Sequence, residues 1–395
     1  MNSNMSYFFT WSKQKTTSPI PVKEVIGNTF ILKNDKQVHD LSSVSLQASF
    51  GLKNHIIEEN IINQLKVMPL TSPKATFPLK ERISQQLLRY LNQKDGKIFY
   101  TVSGAESVEN ALKMARHITG KKIILSRKKS YHGSTLGAIS VTGDWRNNPD
   151  ETISQWTKWI PEAEDDLDLT KTEQIITSTG PQNIAAFCLE TIPGANGVNI
   201  APLHWWEGIQ SLCHKYQIKL ILDEVVCGFE RTGSPFGFHH YNINPDFVCM
   251  AKAISGGFIP FGALYVKKDN ASFYDQEVLR SGLTNYAHPL GLAALKGVLE
   301  ITQDNKFKTN LQHIEKIFSN FLQTLLTLNI VKNIRVKGML ACIDLLSPKS
   351  PEYFLAQGLN LICRDQNIIL APALTYSPND LKNALFTFEQ ALNEI

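Results

Sequence analysis

Short, mostly apolar runs alternating with helical stretches predict an α/β chain: a large domain on a mostly parallel sheet, joined to a smaller α+β domain. Three observations carry this. "NIAAFCLE", "IKLILDEVV", "PDFVCMA" and "GALYV" are short and mostly apolar, as strands covered on both faces are. Stretches of helical pattern such as "WWEGIQSLCHKY" lie between them, as in a doubly wound sheet. After about residue 290 the texture shifts to long helices, "LGLAALKGVLEITQ" and "LQHIEKIFSNFLQTLLTL", with two or three strands. At 395 residues the chain exceeds one small core. The expected division is an N-terminal segment, 1–50, packing with the small domain; a large domain, 51–288; and a C-terminal small domain, 289–395.

In order along the chain, "GNTFILKNDKQVHDLSS" reads as strand, Asn-Asp turn and strand. "PLKERISQQLLRYL" is helical, with Ile83, Leu87, Leu88 and Leu91 forming its apolar face. "GKIFYTVSG" is a strand ending in a glycine turn. "ESVENALKMARHITG" is a helix with the stripe Val108, Ala111, Leu112 and Ala115, closed by Gly120. "KKIILS" is the next strand.

Composition narrows the function. Net charge is +4, but the 40 Lys/Arg and 36 Asp/Glu are interspersed, and "SRKKS" is short and lacks aromatics; a nucleic-acid partner is not expected. Six cysteines, at 188, 213, 227, 249, 342 and 363, include no C-x-x-C pair, so neither a metal site nor disulfides are expected, and a reducing compartment fits. The opening "MNSNMSYFFTWSKQ" lacks a signal-peptide layout, and no apolar run approaches the ~20 residues of a membrane helix. The expectation is a cytoplasmic protein without a membrane partner.

In a parallel sheet, ligands sit beyond the carboxyl ends of the strands. Ser103-Gly104-Ala105 ends one strand and opens a helix, offering backbone N–H groups to a phosphate, though Ser-Gly also makes an ordinary helix cap. Tyr131-His132-Gly133 follows another strand and admits a purely structural reading. Asp223 and Glu224 end a third, with side chains on opposite faces. An acid at the end of a buried strand costs several kcal/mol unless a cation or donor meets it. Glu190 ends a fourth, and Lys252 comes roughly thirty residues after Asp223, about one crossover onward. A phosphate cradle, a flat aromatic, an acid and an amine together suit one ligand, pyridoxal 5'-phosphate.

With these residues in view, the chain resembles the class-III (ω-) aminotransferases, pyridoxal-phosphate enzymes with the aspartate-aminotransferase type of fold (fold type I). Five collinear segments carry the likeness: "SGAESVENALKMAR", "SYHGSTLGAISVTG", "LILDEVVCGFERTGSPFGFHHYNINPDFVCMAKAISGGFIPFGA", "LTNYAHPLGLAALKGVLE" and "IRVKGML". The resemblance implies that Lys252 is the Schiff-base lysine, that Asp223 faces the pyridine nitrogen, and that Tyr131 stacks on the ring. It puts Ser103, Gly104 and Ala105 on the phosphate, His132 and Val225 at the cofactor, and Glu190 near the substrate side. It further implies a homodimer in which Thr284 reaches the neighbouring subunit's phosphate, and a substrate pocket lined by Trp11. Substrates would be an amine or ω-amino acid donor and an oxo-acid acceptor, pyruvate- or 2-oxoglutarate-like, in ping-pong order. Gly256 and Gly257 would let the backbone turn closely beside the cofactor.

Three departures stand out. Val226 occupies a position that is Gln in many members, and Thr191 follows Glu190 where Pro is usual. In "LICRDQNIILAPALTYSPNDL", the arginine that clamps a substrate carboxylate in several members has no clean counterpart. Arg364 is the nearest, Ile369 stands where some relatives have Arg, and Arg146 or Arg231 could serve instead or be structural. The same fold hosts decarboxylases, aminomutases and racemases, and a non-catalytic module could retain it; the motifs do not separate these.

Overall fold

The computed structural model describes residues 5–93 and 95–394. The N-terminal segment forms β1 (Val22–Ile26), β2 (Thr29–Leu32) and β3 (Gln37–Asp40), with Asp35 turning the expected hairpin at φ 61°. A left-handed turn, α1 (Ser43–Leu46), follows, then α2 (His55–Val67) and α3 (Pro78–Tyr90). Proline at the start of α3 lacks the N–H that a first turn leaves unpaired, and Leu79, Ile83 and Leu87 form its buried stripe. Next come β4 (Gly96–Thr101) and α4 (Gly104–Thr119). Ser103 Oγ caps α4 by accepting from Glu106 N at 3.1 Å, and Gly120 closes it at φ 68°.

Alternation then continues through β5 (Ile123–Arg127), α5 (Leu136–Ser140), β6 (Thr157–Ile160), α6 (Thr170–Thr179), β7 (Ile184–Glu190), α7 (Leu203–Tyr216), β8 (Lys219–Asp223) and β9 (Phe247–Met250). β10 (Gly262–Lys267), α8 (Lys268–Ser272), α9 (Pro289–Gln303) and α10 (Asn305–Leu325) come next. The chain ends with β11 (Val331–Lys337), β12 (Leu340–Leu345), α11 (Pro351–Ala356), β13 (Leu359–Asn360), β14 (Ile362–Arg364), β15 (Asn367–Leu370) and α12 (Pro378–Asn393).

The central sheet has seven strands in the order β4-β10-β9-β8-β7-β5-β6. Its strands alternate between two apolar layers. Phe187, Leu189, Leu220, Leu222, Val248 and Met250 face the layer of Trp205 and Trp206, whereas Ala186, Cys188, Ile221, Phe247 and Cys249 face the layer of Val108 and Leu112. This two-sided burial is why the runs are apolar without alternation. One expectation needs correcting: "GALYV", grouped above with the parallel strands, is β10, which runs antiparallel to both β4 and β9. The connection from β9, residues 251–261, is short and holds no crossover helix, as a parallel return requires. Apolar composition reports burial, not direction. The edge strand β6, parallel to β5, was not anticipated; its four residues carry too little pattern.

A second sheet, β11-β12-β15-β14, is antiparallel. The third, β1-β2-β3-β13, joins the two ends of the chain: β3 pairs in parallel with β13, and Leu41 O accepts from Ala371 N. α9 packs on α2 and α3 and against residues 252–255. Among the described residues no helix is long and apolar enough to cross a membrane.

Arg231 ties these parts together. It is 0% exposed and donates to the Met339 and Pro372 carbonyls (3.0 and 2.6 Å) and to the hydroxyls of Ser43 and Ser49 (3.0 and 3.1 Å). It therefore clasps the N-terminal segment to the C-terminal sheet and is not available to a substrate carboxylate. The same clasp supports α1, where four consecutive non-glycine residues hold positive φ, a conformation costing roughly 1–2 kcal/mol each. Asp40 completes the support by accepting from Ser42 N, Ser42 Oγ and Val44 N. Arg231→Ala is expected to destabilise the fold by about 2–4 kcal/mol through lost hydrogen bonds and a cavity, and Arg231→Lys to recover little of it. Denaturant melts of the three proteins check this.

Candidate active site

Parallel register gathers the chemistry at the carboxyl ends of the central strands. Glu190 of β7 is paired with Asp223 of β8, and Asp223 with Cys249 of β9. Lys252 lies three residues beyond Cys249, where a short 3₁₀ turn (Lys252–Ser255) begins. Its own backbone is left-handed, at φ 52°. Among the described residues Lys252 Nζ takes part in no hydrogen bond or ion pair. Burial lowers the lysine's pKa; Asp223 and Glu190 pull it up and Arg146 pushes it down, leaving it below its ordinary value. An unpaired amine with a depressed pKa suits a nucleophile and base.

Gly256 and Gly257 make the expected tight turn. Both have positive φ; a side chain on Gly256 would meet Ile57 of α2, and one on Gly257 would crowd the Gln47 backbone. They fit the turn against α2 and the segment after α1. The residue strained beside the site is the lysine itself.

Asp223 finds the partner its burial demands. One oxygen, Oδ2, lies 2.8 Å from His132 Nδ1, and Oδ1 accepts from Val225 N at 3.0 Å. Burial opposes charge on His132, but Cys188 and the Asp223 hydrogen bond hold its pKa well above the usual value. Glu224 points the other way, as the strand alternation requires, and accepts from Gly237 N, Phe238 N and Thr191 Oγ1. It anchors a loop and does not face the lysine.

Gly133, at φ 130°, brings the Tyr131–His132 turn onto α4, where a Cβ would lie 2.7 Å from Ala105 Cα. Tyr131 N donates to Glu190 Oε2 at 3.2 Å. Glu190 is buried, and burial, with Asp223 adding to it, raises its pKa to about 7. At the start of α4 the N–H groups of Gly104 and Ala105 have no acceptor among the described residues, and Val225 packs beside them. Two free donors at the positive end of a 16-residue helix suit a phosphate. A carboxylate backed by an imidazole, an aromatic ring and an unpartnered lysine complete a donor set that fits pyridoxal phosphate. Val226 packs against Gly194 and provides no polar contact in place of the usual Gln.

Trp11, whose placement was the loosest expectation, stands edge-on to Tyr131 at 6.1 Å and to Trp145 at 6.0 Å. Arg364 also reaches this mouth: Nη1 is 3.3 Å from Asp144 Oδ2 and 3.1 Å from Asn196 Oδ1. Ile369 is buried in β15. Thr284 stands apart, exposed in a turn. Asp144, Trp145 and Asn196 escaped the sequence reading; the only local signal was the "DWR" triplet.

Comparisons with known proteins give the chain a family. The family model described as aminotransferase class-III matches residues 10–392. The vanillin aminotransferase of Capsicum frutescens is 27% identical, over 100% of this chain and 95% of its own length. Gamma aminobutyrate transaminase 2 of Solanum lycopersicum is 28% identical, over 81% and 79%. Among solved structures, a taurine:2-oxoglutarate aminotransferase from Bifidobacterium kashiwanohense, in complex with PLP and glutamate, superposes with a TM-score of 0.92 at 28% identity, covering 98% of this chain and 95% of that one. An S-selective transaminase from Bacillus megaterium, 23% identical with a TM-score of 0.91 over 98% and 96%, shares the fold. The chain thus belongs to the class-III aminotransferase family, pyridoxal-phosphate-dependent enzymes of fold type I.

Proposed function

We propose that this transaminase takes its amino group from an amine or ω-amino acid and passes it to a 2-oxo acid in two half-reactions, with two copies of the chain sharing each site. The observation that carries the reading is the unpartnered, pKa-depressed Lys252 at the same strand ends as the Asp223–His132 pair. The donor class is supported by relatives named for gamma-aminobutyrate and taurine. The aromatic mouth of Trp11, Tyr131 and Trp145 would receive the donor's apolar part, and Arg364 is placed to meet a carboxylate.

When bound, the cofactor supplies an electrophilic aldehyde and a protonated ring that accepts electrons from the substrate Cα–H bond. Asp223, backed by His132, holds the proton on the ring nitrogen. Tyr131 would cover the ring face, and the Gly104 and Ala105 N–H groups with Ser103 would hold the phosphate. Lys252 Nζ would remove the proton from the substrate carbon and redeliver it, so proximity and acid–base action reside in one group. Glu190 lines the site behind Tyr131. Thr284, exposed on the single chain, reaches the phosphate of a second copy in this reading.

Borohydride reduction of the loaded enzyme followed by peptide mapping is expected to tag Lys252, and Lys252→Ala to lower kcat by about 10³-fold or more. A tag elsewhere, or normal turnover, overturns the assignment. The shared site is tested by co-expressing Lys252→Ala and Thr284→Arg chains. Each alone is expected to be inactive and the hybrid active, because one chain supplies the lysine and the other the threonine; no recovery removes Thr284 from the partner's site. Glu190 makes stability pH-dependent. Its folded pKa of about 7 lies above the ordinary 4.5, so the folded state binds the proton more tightly and stability is lost as pH rises through that window. Glu190→Gln lacks this loss, so its melting temperature relative to the parent should rise between pH 5 and pH 8, measured by thermal melts; a constant difference would count against the titration.

A further inference from the structure

Behind the central sheet a buried charge pair braces the turn that carries Tyr131. Arg127, the last residue of β5, is 1% exposed, and Glu162, two residues beyond β6, is 6% exposed. Arg127 Nη2 donates to the backbone carbonyl of Glu190 at 2.7 Å, so it grips the end of β7. Glu162 Oε1 accepts from Lys129 N at 2.7 Å, so it grips the chain two residues before Tyr131. The Arg127 carbonyl accepts from Ser130 Oγ at 2.7 Å and closes the same turn. Tyr131 N completes the circuit by donating to the Glu190 carboxyl at 3.2 Å.

Arginine and Glu190 carboxyl stand on opposite sides of the sheet. The Arg127 guanidinium lies 5.8 Å from the ring centroid of Trp205, in the layer that holds Leu125 and Leu189. Glu190 falls in step with Ala186 and Cys188, whose side chains face the other layer, that of Val108 and Leu112. Among the described residues Arg127 bonds the Glu190 carbonyl and not its carboxyl, so it acts on the acid through the backbone and through charge. That charge is only partly answered. Arg127 Nε and Glu162 Oε2 are 3.9 Å apart, and neither has a hydrogen-bond partner among the described residues. A buried cation paired at that length leaves field for a second acid nearby.

We propose that Arg127 is a positioning residue for Tyr131: by holding the end of β7 and favouring the ionised Glu190 carboxylate, it keeps a charge-assisted acceptor on the Tyr131 backbone N–H. This rests on the transaminase reading above for what Tyr131 covers. A carboxylate accepts an N–H more strongly than a neutral carboxyl does, so the turn presenting the ring is held most firmly when Glu190 is charged. Glu162 fastens the same turn at Lys129 and at the same time counters the guanidinium. Burial raises the Glu190 pKa, His132 and Arg127 pull it down, and Asp223 adds to the rise. Lys252 and Cys227 also sense this acid.

The test follows the Glu190 titration in the holoenzyme. Its midpoint is the pH at which the melting-temperature difference between Glu190 and Glu190→Gln forms changes, measured in the parent, Arg127→Met and Glu162→Gln backgrounds. Arg127→Met is expected to raise that midpoint by about half a pH unit or more, about threefold in proton affinity. Glu162→Gln is expected to lower it, because the amide oxygen still accepts from Lys129 N but no longer counters the guanidinium. A turn that was merely loosened would admit water to Glu190 and lower the midpoint in both backgrounds, so the opposite signs separate the two cases. Arg127→Lys keeps the charge and should leave the midpoint nearer the parent's than Arg127→Met does. Circular dichroism in the cofactor band, which reports how the ring is covered, should weaken in Arg127→Met. If Arg127→Met does not fold, Glu162→Gln still decides. A midpoint that Arg127→Met leaves unmoved or lowers, or that Glu162→Gln fails to lower, overturns the proposal, as does a raised midpoint with unchanged dichroism. Bleaching of the cofactor band when 1-phenylethylamine is added to the parent enzyme tests the transaminase reading separately: a parent that bleaches while Arg127→Met leaves the midpoint unmoved keeps that reading and ends this one.

Discussion

A carboxylate buried at the end of the central strand β8 is the constraint from which the site follows. An unpartnered carboxylate buried there would cost several kcal/mol. The contact of Asp223 with His132, 2.8 Å long and out of water, meets the charge and holds the imidazole. Holding His132 also positions its neighbours, because Tyr131 and Gly133 share its turn and Gly133 allows that turn to touch the first residues of α4. The acid, the aromatic ring and the start of α4 are thereby brought together, and parallel register sets Cys249, three residues before Lys252, beside Asp223.

The surrounding scaffold stores strain where function needs an exact direction. Lys252 holds a left-handed backbone, and four residues of α1 do likewise on the far side of the 256–257 turn. Such conformations persist only when neighbours over-determine them. Here the neighbours are identifiable: Arg231 and Asp40 hold α1, and α9 packs behind the 252–255 turn. Glu224, next to Asp223, contributes by fastening residues 237–238 and Thr191. Adjacent acids on one strand thus meet different partners, His132 for Asp223 and the 237–238 loop for Glu224, because successive side chains face opposite ways.

At the mouth, electrostatics and apolar surface are superimposed. Three aromatic rings and two guanidiniums occupy the same few ångströms, with Asp144 moderating the charge. Flat aromatics accept guanidinium groups on their faces as readily as they accept hydrocarbon.

What the sequence determined by itself was whatever depends on local pattern. Two-sided burial made β7, β8 and β9 legible as apolar runs, stripes such as Val108–Leu112–Ala115 marked the helices, and chemically unusual strand ends marked Asp223, Lys252 and Ser103–Ala105. Strand direction was not legible, since burial is the same for either sense, and β10 turned out antiparallel. Nor was the allocation of the arginines: Arg146, Arg231 and Arg364 are alike in sequence, and only their neighbours distinguish a clasp from a mouth residue. Asp144 and Asn196 lie 52 residues apart and meet Arg364 from across the chain, so no local window contains them together. The tertiary structure decided these because a charge acquires its role from what it touches, and what it touches is set by the long-range packing of strands and loops.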